Sequence, residues 1–228
     1  MQHTNPLPGL PPRGKEIISP LGEIRKGVLN RKTEQRILMT YPIFIYGHPL
    51  LRKVAEDIDE DYPDLQQVIA DLFETMYRSE GVGIAAPQIG KSIRIFVIDG
   101  APLKDDVPAM ADFKKVFINA HITEKSGDLQ PMTEGCLSIP NLREEVNRES
   151  HIRIEYYDED WTFHDEVFEG YAARVIQHEY DHVDGILFTD RVSPLRKRLI
   201  RGKLAAISKG KFEAEYKTIL PGQKFRLL

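Results

Sequence analysis

Two histidines four residues apart, His178 and His182 in the stretch QHEYDHVDG (177–185), constrain this chain more than any other feature. Positions i and i+4 of an α-helix lie about 40° apart around the axis and about 6 Å along it. If the stretch is helical, both imidazoles face one point in space from one side. Glu179 is then turned about 100° from His178 and sits beside that point. A metal ion held there lowers the pKa of a bound water from 15.7 to about 7, and a neighbouring carboxylate is where its proton acceptor belongs. The pattern points to metal-dependent hydrolysis.

A catalytic divalent site generally takes three protein ligands and leaves one position open. No histidine follows His182, and the glutamates downstream, Glu213 and Glu215, lie beyond the last expected helix. Upstream, EGCLSIP (134–140) carries the chain's single cysteine. A thiolate binds iron(II) or zinc strongly, so Cys136 is expected to be the third ligand. A lone cysteine forms no internal disulfide, which fits a reducing compartment, and a cytoplasmic location is expected.

The chain has 228 residues, enough for one well-buried catalytic domain. Residues 1–38 hold five prolines, no sustained periodicity, and seven Lys/Arg against three Glu. That makes the segment +4 and leaves the remainder at −8 of a net −4. The body therefore lacks the clustered positive charge that coating a nucleic acid requires, and no specific nucleic-acid partner is expected. Residues 1–38 are read as an extended or disordered tail and 39–228 as the metallohydrolase domain. Three origins stand open for the tail: a start-site artefact ahead of Met39, a regulatory extension, or a targeting peptide, the last weakened by its glutamates. No apolar run approaches membrane-spanning length, so no membrane association is expected.

Periodicity places the elements. Leu65, Val68, Ile69, Leu72, Phe73, Met76 and Tyr77 form one helical face. SIRIFVID (92–99) and KVFINA (115–120) read as strands, and residues on either side of Asp158–Trp161 read as a hairpin. Helical spacing returns over EGYAARVIQHEYDH, and a basic amphipathic helix runs from Pro194 to Lys209. Strands and helices do not alternate regularly, so the expected class is α+β: antiparallel or mixed sheets around a central helix with the histidine pair, followed by a C-terminal helix.

Three stretches, GVGIAAPQ (81–88), EGCLS (134–138) and QHEYDHVDG, now stand in order along the chain. Together they resemble the peptide deformylases, metallohydrolases that remove the formyl group from N-formylmethionine on nascent chains. The resemblance covers about residues 41–212 and includes GHPLLRKVAEDI and SPLRKR. It implies iron(II) as the more active metal, with zinc or another divalent ion as a frequent occupant. It also implies that the Gln88 side chain and the Leu137 backbone N–H stabilise the oxyanion. Val82 and Gly83 would pair with the extended substrate, and Arg143 would lie near its backbone. Glu134, Tyr171 and Val175 would wall the methionine pocket. Asp181 would either hold a ligating imidazole or pair with Arg148. Asn141 stands where many members carry glycine or glutamate. The basic helix (Arg196, Lys197, Arg198, Arg201, Lys203) is either a ribosome contact or a solvated face.

Two other classes remain at this point. A zinc endopeptidase shares the helix motif but takes a His or Glu as third ligand and tolerates loss of Cys136. A non-catalytic metal-binding protein has no use for Glu179 as a base.

Overall fold

From Leu142 to Tyr156 every second residue is buried, the period of a strand with one face on a core. A computed structural model describes residues 38–224. The expected tail therefore falls, up to position 37, outside the described residues. Within them the strands are β1 (Ile43–Phe44), β2 (Gly83–Ala85), β3 (Ile95–Asp99), β4 (Lys114–Cys136), β5 (Ile139–Tyr157), β6 (Phe163–Glu169) and β7 (Thr218–Ile219). The α-helices are α1 (Leu65–Arg78), α2 (Gly170–Val183), α3 (Phe188–Arg191) and α4 (Pro194–Ile207).

Strands β2 to β6 form one antiparallel sheet in the order β2-β3-β4-β5-β6. Such a meander needs only short connections between neighbours. Strand β3 is the middle of the core. Its Ile95 and Val97 face Val68, Ile69, Leu72 and Met76 of α1, while Phe96 and Ile98 face Ala173, Val175 and Ile176 of α2. Burial on both sides explains why IFVI (95–98) is continuously apolar rather than alternating. A third cluster packs Ile200, Leu204 and Ile207 of α4 against Ile139, Leu142 and Val146 of β5.

The α+β expectation agrees with this architecture, and α1, α2 and α4 fall within a few residues of the periods that announced them. One difference is large. The second strand was expected to end at Ala120, whereas β4 runs on to Cys136 beside β5. Residues 123–131 are exposed, so their side chains follow no burial period. They are held by backbone pairing, with register shifts between Ile122 and Glu124 and between Ser126 and Leu129. This long antiparallel pair ends in a two-residue connection, Leu137–Ser138, closed where Cys136 pairs with Ile139.

The last segment returns to the start of the domain. Gly210, at φ +77°, turns the chain after α4, and β7 pairs in parallel with β1. No helix among the described residues is long and apolar enough to cross a membrane.

Phe117 stacks on Phe96 and meets a tilted Tyr156 ring, at centroid distances of 4.6 and 4.4 Å. Phe117→Ala is expected to lower unfolding free energy by about 3–5 kcal/mol, measured by urea titration against the unsubstituted chain.

Candidate active site

Helix α2 turns one face to a cleft of about 1110 Å³, lined there by Tyr171, Val175, His178 and Glu179. The His178 and His182 rings lie 5.2 Å apart, centroid to centroid. Cys136, at the end of β4, brings its Sγ to 3.2 Å from His182 Nε2. One donor atom from each of Cys136, His178 and His182 lies within 4.8 Å of the other two. Metal bonds of about 2.3 Å to sulfur and 2.0 Å to nitrogen, at a tetrahedral angle, put such donors about 3.5 Å apart. One thiolate and two neutral imidazoles are also a donor set that suits zinc or iron(II). The three residues fit a divalent ion.

His178 is oriented from behind. Its Nδ1 donates to Glu134 Oε2 at 2.9 Å, which leaves the lone pair of Nε2 for coordination. Glu134 is gripped by Arg148 through Nε–Oε1 at 2.6 Å and Nη2–Oε2 at 2.9 Å. Arg174 adds a bond to Oε1 at 2.9 Å. Burial raises the Glu134 pKa, but Arg148 and His178 outweigh it and hold the carboxylate well below its usual range. Sequence reasoning made Glu134 a substrate-pocket wall. It does line the cleft, and both of its oxygens are also taken up by Arg148, Arg174 and the His178 Nδ1–H. Of the two readings for Asp181, the structure favours Arg148, whose Nη1 donates to Asp181 Oδ2 at 2.7 Å. Arg191 completes that pair.

Glu179 is buried, and its Oε2 has no hydrogen-bond partner among the described residues. Burial pushes its pKa up to about 7, opposed by the imidazoles of His178 and His182. Its other oxygen explains Gly83, where a Cβ would stand 2.5 Å from Glu179 Oε1. The glycine was expected to admit substrate. It also makes room for the carboxylate. Gln88 is buried as well. Its Oε1 accepts from the Ala85 N–H at 2.8 Å, and its Nε2 lies 3.2 Å from Ser138 Oγ and 3.6 Å from Cys136 Sγ.

The remaining residues follow the cleft. Strand β2 is an outer strand of its sheet, and Val82 and Gly83 border the cleft there. Exposed Arg143 borders it from the start of β5, packed over Gly135. Leu137 lies at the turn, beside Cys136. Thus the structure brings every expected site residue to this cleft or its ligand cluster.

Comparison with known proteins settles the family. Residues 40–198 match the sequence model described as polypeptide deformylase. The chain belongs to the peptide deformylase family. A peptide deformylase from Christiangramia forsetii is 53% identical over 193 residues, covering 82% of this chain and 98% of the relative. A Plasmodium falciparum peptide deformylase solved with an inhibitor has 34% identity and a TM-score of 0.64, covering 73% of this chain and 99% of its own. A class I type b peptide deformylase from Acinetobacter baumannii, solved with Met-Ala-Ser bound, has 31% identity and a TM-score of 0.63, covering 68% of this chain and 100% of its own. Membership makes this chain a metal-dependent hydrolase.

Sequence reasoning missed one wall of this deformylase-family cleft. Glu213, Glu215 and Tyr216, after α4, line it, and they carry neither a motif nor a period that could have shown it.

Burial raises the Cys136 pKa, but His182 and His178 outweigh that and bring it down to about 5. With a lowered pKa the thiolate persists above that value and is lost as pH falls through it. Thiolate absorbance of the metal-stripped protein should therefore titrate with a midpoint near pH 5, whereas the urea-unfolded chain should titrate near the ordinary ~8.5.

Proposed function

We propose that this chain removes the formyl group from N-formylmethionine at the start of nascent polypeptides, with Glu179 carrying the proton. The observation that carries this is the convergence of one sulfur and two imidazole nitrogens within 4.8 Å, next to a buried carboxylate in a chain of this family. Cys136, His178 and His182 would hold a divalent ion, which would supply Lewis-acid activation of water and of the formyl carbonyl. Glu179 accepts a proton from the attacking water and returns one to the departing amine, giving formate and a free N-terminus. Burial raises its pKa above the usual carboxylate range, which favours proton return as well as proton acceptance.

Gln88 Nε2 and the Leu137 N–H donate to the oxyanion as the formyl carbon becomes tetrahedral. The free edge of β2, at Val82 and Gly83, accepts the substrate backbone as an added strand. Tyr171 and Val175, one helical turn apart on α2, wall the methionine side chain, and Arg143 faces the substrate backbone across the cleft. The peptide Met-Ala-Ser bound to the Acinetobacter relative supports a product of this class.

The ion is proposed to be iron(II), with zinc able to occupy the same donors. Iron(II) beside a thiolate is oxidation-sensitive. An endopeptidase is not favoured, because Glu213 and Glu215 lie outside the ligand cluster. For the nascent-chain partner, α4 is proposed as a transient ribosome contact through exposed Arg198, Arg201 and Lys203. Arg196 and Lys197 are engaged within the chain, by Glu144 and by the Asp190 carbonyl.

Formate release from formyl-Met-Ala-Ser, assayed anaerobically on protein of measured metal content, tests the chemistry. Activity should follow iron and fall on exposure to air. Cys136→Ala should lose metal and activity together. Glu179→Ala and Gly83→Ala should keep metal yet lose at least about 100-fold in kcat. Full activity in Glu179→Ala would remove the assigned proton carrier. Charge reversal at Arg198, Arg201 and Lys203 should abolish co-sedimentation with ribosomes without changing formate release.

A further inference from the structure

The residues after α4 lie beyond the part of the chain that the family model matches, which ends at 198, yet they come back to the metal-bearing turn. Asn141, at φ +60°, follows that turn and donates from Nδ2 to the Glu213 carbonyl at 3.1 Å. Further on, the Lys217 and Ile219 carbonyls accept from the N–H groups of Ile43 and Ile45 at 2.8 and 2.9 Å. The segment is thus tethered on both sides. Between the tethers, the Tyr216 hydroxyl donates to the Leu137 carbonyl at 2.8 Å. The Tyr216 side chain is half-buried against the cluster around α1.

We propose that residues 213–219 form a strap over the Cys136–Ser138 turn, and that Tyr216 is a positioning residue for the Leu137 peptide and, through it, for the Cys136 sulfur. The inference rests on the deformylase reading above. Leu137 and Ser138 are the whole connection between β4 and β5. The carbonyl held by Tyr216 belongs to the 137–138 peptide. That peptide shares the Leu137 Cα with the 136–137 peptide, which bears the oxyanion N–H and joins Cys136, so a shift of that Cα moves both. Other contacts grip the two ends of this turn: at Ser138 the Tyr46 N–H to its carbonyl at 2.8 Å and Gln88 Nε2 to its Oγ at 3.2 Å, and at Cys136 Sγ both Gln88 Nε2 and His182 Nε2. Tyr216 is the hydrogen-bond donor that holds the Leu137 carbonyl. A donor aimed at charge that develops only in the transition state must be held within about 0.5 Å. Losing the grip should therefore lower kcat and leave ground-state binding alone.

Tyr216→Phe removes the hydroxyl and keeps the ring. In zinc-loaded protein, kcat on formyl-Met-Ala-Ser should fall about tenfold, the scale of one hydrogen bond, with KM within about twofold. EDTA should strip zinc several-fold faster, a readout independent of turnover. A kcat within about twofold of the unsubstituted chain, whatever happens to the unfolding midpoint, overturns the proposal, as does a loss carried entirely by KM. An unchanged stripping rate overturns the claim for the sulfur. If the unsubstituted chain itself releases no formate, the deformylase reading fails instead, which keeps the two failures apart.

Discussion

Glu134 holds a negative charge where water hardly reaches, and the geometry of the site depends on how that charge is matched. An isolated buried carboxylate would cost several kcal/mol. Here two guanidiniums and an imidazole N–H surround it. Arg148, with a side chain only 1% exposed, reaches on to Asp181, which Arg191 also binds. These partners come from β4, β5, α2 and α3. The network therefore sets the height of the hairpin relative to the helix, and with it the distance between one sulfur and two imidazoles. Such networks add little net stability when whole but cost much when one partner is removed. Their value here is in geometry.

The reacting groups themselves stand on regular elements. Two of the proposed ligands and the proposed proton carrier share one helix, and the third proposed ligand ends a long strand. Side chains on such scaffolds are held more tightly than on loops. A close fit joins Glu179 and Gly83, where a helix and an outer strand approach so closely that a methyl group would collide with the carboxylate. That approach keeps Glu179 dry, and dryness brings its pKa near neutrality. The same strand leaves its outer edge to the cleft, so one short element borders both Glu179 and the edge proposed to receive an extended peptide.

Helices were easy to read because their burial is periodic: the apolar face of α1 and the spacing of α2 both carry it in the letters. The outer half of β4 was not legible, since its side chains are exposed and only backbone pairing holds it. Glu134 was placed in the pocket for a related reason. A carboxylate beside a cysteine looks alike whether it meets substrate or two arginines that lie 14 and 40 residues away. The strap after α4 left no trace in composition, because its contacts use backbone carbonyls and a single hydroxyl.

Local features decided what the sequence alone determined: two histidines and a glutamate on one helical turn, a single thiol available to join them, and an α+β class. The first follows from a fixed rise and twist per residue, the second from composition and the third from the order of the periods along the chain, none of which depends on anything distant. Tertiary structure decided the rest. It set how close the thiol comes to the imidazoles, which cations neutralise Glu134, why Gly83 has no side chain, and what closes the far wall of the cleft. Each of those joins residues well apart along the chain, and their approach is set by packing and charge matching over the whole fold.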